Sequence, residues 1–338
     1  MCAQCLEINI LKAYHGDCIH LRFGPVDNEA EQTEKDEKTE TPKAPAYNIV
    51  IDSGPGMHLS GFRKLMNGID KAGESVDLLC FTHMDDDHTL AAKHYFNTNK
   101  KLDFIKQIWI NIPKDEAEHA KKLKAGSVEL TGAKKTFELF GHILWHKIPY
   151  KTEVKQGHQA QFGDMVLRVE GPTQDRLDRY FAEWDKQMNT VLTDAKSEDD
   201  SDANGGSIVI VVEAMGKKLL FSGDAFASDL EAVSGECAGE EGFVLVKLPH
   251  HGSNANMSLS MLEKMNCKNF VISANGSMDR PAQKTVDILG EYGSLHEGVV
   301  LYGNYDWGRI KKEIAGLRIV ELEAEPVSVA EGITLRTE

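Results

Sequence analysis

Six consecutive residues, His83-Met84-Asp85-Asp86-Asp87-His88, carry four side chains able to ligate a metal: His83, Asp85, Asp87 and His88. The ordered pattern His-x-Asp-x-Asp-His is hard to reach by composition alone. On a loop leaving a strand, that spacing lets imidazole and carboxylate groups converge on one point or on two adjacent ones. The competing reading is an acidic, solvated loop or helix cap with stray histidines. Asp52, Asp224, His250 and His251 also fall at the ends of strand-like runs. Each alone says little, because an Asp after a strand usually caps a helix or turns the chain, and a His-His pair is commonly a surface feature. Together they describe a candidate site for divalent cations. Two cations about 3.5–4 Å apart polarise an electrophile and acidify a bridging water, which attacks as hydroxide. Imidazole-rich sites favour zinc, while oxygen-rich ones move toward manganese or magnesium.

Strands must hold these residues in place. The apolar run 76–81 predicts a short buried strand ahead of the first cluster. Residues 6–11 alternate apolar and polar, the turn His15-Gly16-Asp17 follows, and 18–23 and 47–51 predict two more strands. The last of these ends in Asp52-Ser53-Gly54. Residues 58–72 predict a helix, and 89–96 another that opens immediately after His88 with its N-terminus toward the metal-type residues. A strand at 105–112 and helices at 114–124 and 132–144 come next. In the second half, 165–170, 207–213, 218–221, 243–248 and 269–273 predict strands, and 161–164 a turn. Helices are expected at 176–192, 258–265 and 282–292, with closing strands at 299–302, 318–322 and 332–336. The two halves share one design, strands first and then a strand ending in metal-type residues.

With 338 residues, 41% hydrophobic and 27% charged, the chain suits an ordinary globular protein. We expect one domain over 1–338, with polar insertions at about 26–46 and 193–204 and a helical insertion at about 113–160 that helps to shape the pocket. The first polar insertion is too poor in apolar residues to offset its ordering entropy and reads as a mobile loop, or else as an exposed charged hairpin, and the second reads as a disordered loop. No apolar run approaches the roughly 20 residues needed to cross a bilayer. The first residues lack a signal-peptide pattern, so a cytoplasmic location is expected. The net charge of -15 disfavours duplex DNA as a partner and leaves small anionic or single-stranded nucleotide substrates open. Six cysteines are scattered, and Cys2-x-x-Cys5 lacks the second pair that a structural zinc would need.

The pattern His83-x-Asp85-x-Asp87-His88 resembles the metallo-β-lactamase superfamily, whose usual motif is His-x-His-x-Asp-His. With Asn204-x-x-Ser207-Ile208-Val209, Ser222-Gly223-Asp224 and His250-His251-Gly252-Ser253, it is similar to the ComEC-type hydrolase domain and its stand-alone soluble relatives. Residues 13–18 and 51–54 fit the same pattern. The resemblance implies an α/β fold, a four-layer αββα sandwich with the active site at one edge of two sheets. It implies that His83 and Asp85 hold a first metal, that Asp87, His88 and one of His250 or His251 hold a second, and that Asp224 bridges them. Asp87 and Asp224 would thus be central to catalysis. Residues 202–207, which match the motif supplying a further His, contain none, and Asn204 is the best positional match as a weak oxygen ligand.

Asp17 and Asp52 would orient ligand histidines through the far ring nitrogen, although Asp17 also suits a turn beside Gly16. Lys247 would reach a substrate phosphate, or else occupy an exposed strand position. Arg280, where relatives carry a His before Pro, would clamp an anionic oxygen. His15 lies in a turn that faces the site in this family, and would touch substrate or a ligand residue. Trp145, Tyr180, Phe181 and Trp184 read as helix packing rather than a base-stacking platform. The resulting expectation is a hydrolase with two divalent ions, zinc or manganese, acting on a phosphodiester. The alternatives are hydrolysis of a lactone, thioester or amide, and a non-catalytic metal-binding module. The oligomeric state stays open.

Overall fold

The segments 76–81, 208–212 and 299–302 are apolar at nearly every position, the pattern of strands buried on both faces, while 6–11 and 165–170 alternate. Along Ile208-Val209-Ile210-Val211-Val212 the alternation of a strand sends Ile208, Ile210 and Val212 one way and Val209 and Val211 the other. The computed structural model describes residues 4–25, 46–120, 132–189, 201–311 and 313–338, and in it those two sets enter different cores.

The first half supplies β1 (Gln4–Ile10), β2 (Ile19–Pro25), β3 (Tyr47–Ile51), β4 (Val76–Phe81), β5 (Ile108–Ile110) and β6 (Tyr150–Lys151). The second supplies β7 (Gln159–Phe162), β8 (Met165–Gly171), β9 (Val209–Ala214), β10 (Lys217–Phe221), β11 (Leu245–Lys247), β12 (Asn269–Ile272), β13 (Val299–Gly303) and β14 (Leu317–Glu321). The chain then returns as β15 (Val327–Ala330) and β16 (Ile333–Arg336). One sheet has the order β15-β16-β1-β2-β3-β4-β5-β6, the other β14-β13-β12-β11-β10-β9-β8-β7. Each begins with antiparallel hairpins and continues parallel, from β3 through β6 and from β10 through β14. The parallel stretches need crossover connections, and helices provide most of them.

The helices are α1 (Leu59–Lys71), α2 (Asp86–Thr98), α3 (Lys114–Ala120), α4 (Gly132–Trp145), α5 (Gln174–Asn189), α6 (Asp202–Gly205), α7 (Ala227–Ala238), α8 (Leu259–Met265) and α9 (Gln283–Leu295). Three apolar clusters define the layers. Phe62, Met66, Tyr95, Phe140 and Trp184 from α1, α2, α4 and α5 cover Val50, Leu79 and Phe81 on the first sheet. Leu6, Ile8, Ile51 and Cys80 meet Leu167, Ile210, Phe221 and Val271 between the sheets. Leu230, Met261, Met265 and Leu289 from α7, α8 and α9 cover Val211, Leu220 and Val246 on the second. This is the four-layer αββα sandwich of the metallo-β-lactamase type that the motifs imply. Ligands of open α/β sheets sit beyond the carboxyl ends of the parallel strands, and the ends of β3, β4, β10 and β11 carry the metal-type residues.

Several local expectations change. α2 starts at Asp86 rather than Thr89, so Asp87 and His88 ride its first turn, where the helix dipole favours carboxylates. α7 has a weak pattern because its inward stripe is Leu230, Ser234 and Ala238, two of them small or polar. Of the turn expected at 161–164, Gly163 and Asp164 make the turn and residues 161 and 162 belong to β7, which pairs with β8, and β15 adds an edge strand. Residues 202–204, expected to be disordered, belong to the helical turn Asp202–Gly205, whose N-cap Ser201 accepts from the Asn204 N–H. The remainder of the acidic segment (193–200), residues 26–45 and residues 121–131 of the helical insertion lie outside the described residues. Tyr180 and Trp184 are buried and Phe181 packs against the same cluster, but Trp145 is 72% exposed at the end of α4, not part of the packing. No helix among the described residues is long and apolar enough to cross a membrane.

Candidate metal centre

Asp52, at the end of β3, organises the first half of the site. Its Oδ1 accepts from the Thr82 N–H at 2.8 Å, and its Oδ2 accepts from the Thr82 hydroxyl at 2.7 Å. The same Oδ2 lies 2.8 Å from His88 Nδ1. A carboxylate at Nδ1 keeps the proton there and turns Nε2 inward. Having donated to Asp52, the Thr82 hydroxyl can accept from His83 Nδ1 at 3.0 Å, so the His83 Nε2 also points inward. One buried Asp thus aims two imidazoles.

The second sheet brings Asp224 on the loop after β10. Its N–H donates to Ser207 Oγ at 3.1 Å, and its Oδ2 lies among four imidazoles. The Nε2 atoms of His83, His88, His250 and His251 stand 3.9, 3.4, 3.7 and 3.5 Å from it. Asp87 completes the ring, with Oδ1 3.9 Å from His88 Nε2 and Oδ2 3.5 Å from His251 Nε2. Asp85 sits at the more open side, 3.6 Å from His83 Nε2. The Ile208 N–H donates to Thr82 O at 2.9 Å, which ties the two sheet edges together beneath the pocket.

His250 and His251 follow β11 with φ of 49° and 54°, both in the left-handed region that costs about 1–3 kcal/mol for ordinary residues. Their side chains are held from behind. His250 Nδ1 faces Asn256 Oδ1 at 3.0 Å, and the Asn256 amide donates to the Ala225 carbonyl at 3.1 Å. His251 Nδ1 donates to the Ser273 carbonyl at 3.0 Å and has Asp17 Oδ1 at 3.4 Å.

Burial penalises charge on Asp87, His88, Asp224 and His251, yet their mutual attraction outweighs it. Burial pulls the pKa of His88 down, but Asp224, Asp52 and Asp87 push it well above the usual value. His251 behaves alike through Asp224 and Asp17. Burial pushes Asp224 up, but His251, His88 and His250 hold it well below the carboxylate range. His250 stays low, because burial and the charges of Arg280 and His251 outweigh Asp224. The pocket therefore stabilises positive charge at its centre.

Divalent cations fit these donors. His83 Nε2 and Asp224 Oδ1 are buried without a hydrogen bond. His83, His88 and Asp224 offer ligand atoms within 4.8 Å of one another, and so do Asp87, His88 and His251. Mixed imidazole and carboxylate donors suit zinc or manganese.

Of the remaining expected residues, Lys247 is the clear correction. It is neither exposed nor open to a substrate phosphate: it is fully buried, ion-paired with Asp17 Oδ2, and donates to the Gly223 carbonyl at 3.1 Å. A buried ammonium must find a carboxylate, and Asp17 lies below the pocket floor. Asn204 is buried on α6, and its backbone carbonyl accepts from the Ser207 N–H at 3.0 Å. His15 is partly buried, which lowers its pKa, and it feels the charges of Asp87, His251, Arg280 and His88. Thr82, Asn256 and Ser273 had no assigned role; Thr82 and Ser273 are defined by partners distant in the chain, Asp52 and His251, and Ser207 stood in the motif without its bond to the Asp224 N–H.

No family model matches the sequence, and no curated protein does. Among solved structures the chain is similar to unliganded yeast PDE1, with 11% identity, 94% of this chain and 98% of that chain covered, and a TM-score of 0.42. It is similar to Zn(2+)-bound PqqB from Methylobacterium extorquens, with 10% identity, 90% and 85% covered, and a TM-score of 0.39. It is also similar to the metallo-β-lactamase fold protein YhfI from Bacillus subtilis, with 9% identity, 94% and 96% covered, and a TM-score of 0.36. Likenesses at this level speak to neither activity nor substrate.

Proposed function

We propose that this chain of metallo-β-lactamase fold is a metal-dependent hydrolase of phosphodiester bonds. The observation that carries the metal reading is the ring of four imidazole Nε2 atoms around Asp224 Oδ2, closed by Asp87. His83 and Asp85 would hold one divalent ion, and Asp87, His88 and His251 the other, with Asp224 between them. His251 is preferred to His250 because its Nε2 approaches both Asp87 and His88. A bound pair, zinc or manganese, supplies Lewis acidity toward the electrophile and an acidified water.

The chain's own groups do the rest. Asp52, Thr82 and the Ser273 carbonyl hold ring protons at Nδ1, so that Nε2 of His88, His83 and His251 faces the pocket. His250 stays neutral near Asp224, placed to pass one proton at Nε2. Arg280 brings positive charge to the side where His15 and His250 lie, and would take an anionic oxygen of the substrate. That charge favours a phosphodiester over a neutral lactone, and the net charge of -15 favours a small or single-stranded nucleotide over duplex DNA.

Metal analysis of protein purified without chelator should find one to two divalent ions per chain. None, even after zinc or manganese is added back, would sink the reading. A panel of bis-p-nitrophenyl phosphate, labelled single-stranded DNA, cyclic dinucleotides and lactones should show turnover of the phosphodiesters. Turnover of lactones alone would retain the hydrolase and remove its substrate class.

A further inference from the structure

Lys247 closes β11, and its side chain is fully buried beneath the metal pocket. A buried ion pair by itself is weak grounds for keeping a lysine, since apolar residues of like volume serve a fold as well. What distinguishes this one is where its contacts lead. The ammonium pairs with Asp17 Oδ2, and Asp17 Oδ1 stands 3.4 Å from His251 Nδ1. It also donates to the carbonyl of Gly223, the residue before Asp224. Gly223 has φ +53°, and a Cβ there would lie 3.0 Å from the side chains of Ser207 and Thr82, so the loop has little room to shift. One cation therefore ties the turn after β1 and the loop after β10 to the strand that leads to His251.

The same contact restrains Asp17. Asp17, Asp224 and His251 themselves offer ligand atoms within 4.8 Å of one another, a third place where a cation could settle. Lys247 already occupies Asp17 there.

We propose that Lys247 is a positioning residue that acts through Asp17 on His251 and through the Gly223 carbonyl on Asp224, and that keeps Asp17 out of the ligand set. This rests on the reading that the pocket holds divalent cations. Removing a buried cation by itself would draw divalent ions in more tightly, whereas losing the alignment of a ligand histidine weakens binding by about 10- to 100-fold. The sign of the change therefore separates position from charge.

The test uses the full chain, with Lys247→Met, Asp17→Asn and the double variant. Zinc and manganese affinities are measured by chelator competition, and the ring 15N signals of His251 are recorded in metal-stripped protein. Lys247→Met should weaken binding about 10- to 100-fold and shift the His251 signals, and the double variant should lose less than the sum of the two single losses, because the route through Asp17 is shared. Unchanged or tighter binding with unmoved His251 signals overturns the proposal, and so do additive losses. If Lys247→Met fails to fold, the His251 ring signals of Asp17→Asn carry the test, with a shift expected and unmoved signals overturning it. A wild-type chain that binds no metal would defeat the site reading instead, and the His251 signals would still decide the role of Lys247.

Discussion

His88 and His251 face each other Nε2 to Nε2 at 3.3 Å, one ring backed by Asp52 and the other by the Ser273 carbonyl. With both Nδ1 protons committed to those acceptors, two lone pairs would oppose each other. A proton or a metal cation must lie with them. The two rings come from different sheets, so the contact joins the halves of the sandwich at the point where charge is wanted.

Asp224 is the residue that all four imidazoles share. Asp224→Ala should abolish whichever hydrolysis the chain performs and lower bound metal, with the melting transition still cooperative. Turnover and metal content are measured on the same preparation. An unchanged rate would mean that the site lies elsewhere.

Thr82 carries no ligand atom, but its hydroxyl joins Asp52 to His83. Thr82→Val keeps the shape and removes the relay, and metal affinity should fall about tenfold or more. Thr82→Ser should bind like the wild type. Equal affinities in all three proteins would show that His83 is aimed by packing alone.

The contrast between Thr82 and Asp87 explains what was legible. Ligand-type residues stand out because they are polar side chains in apolar strand-end contexts, and the sandwich follows from strands apolar on both faces. Thr82, Asn256 and Ser273 are ordinary polar residues until the fold brings their partners to them. Lys247 misled for the same reason: a lysine at the end of a strand reads as exposed, and its partner Asp17 comes from the other end of the chain. The start of α2 was misplaced because Asp86 and Asp87 look like loop residues, whereas in the first turn of a helix carboxylates are favoured.

Gly16 sets how closely the turn after β1 meets α2. A Cβ there would lie 2.0 Å from the Asp87 carbonyl oxygen, a backbone atom that cannot swing aside. Gly16→Ala should destabilise by about 1–3 kcal/mol and weaken metal binding, because the first turn of α2 must move. Gly68→Ala, in α1 with nothing within 4 Å of the added Cβ, should instead gain about 0.5–1 kcal/mol. Denaturant unfolding of both variants checks the pair.

His20 and His58 are buried away from the pocket, and burial holds each near a pKa of about 4. The unfolded value is about 6.5. A base with a lowered folded pKa keeps its full contribution above the unfolded value, and stability falls as pH drops from about 6.5 toward 4. His20→Gln keeps a donor for Asn48 Oδ1 but does not titrate. Its unfolding free energy should change less than the wild type's over that window, by the order of 2 kcal/mol. The difference between the two proteins isolates His20 from His88 and His251, whose raised values act in the opposite direction. Parallel pH profiles would show that His20 is not held neutral.

Arg280 should affect substrate without affecting metal. Its charge lowers the pKa of both His15 and His250, so it lies on their side of the pocket. If it takes an anionic oxygen of the substrate in the ground state and the transition state alike, Arg280→Met should raise KM about tenfold, with kcat and bound metal near wild type. Arg280→Lys should recover part of the loss, since it keeps the charge but not the bidentate fork. Steady-state kinetics on bis-p-nitrophenyl phosphate, with metal content measured alongside, distinguishes the outcomes. A fall in kcat at constant KM would move Arg280 from binding to the chemical step, and a loss of metal would place it under the site rather than at its mouth.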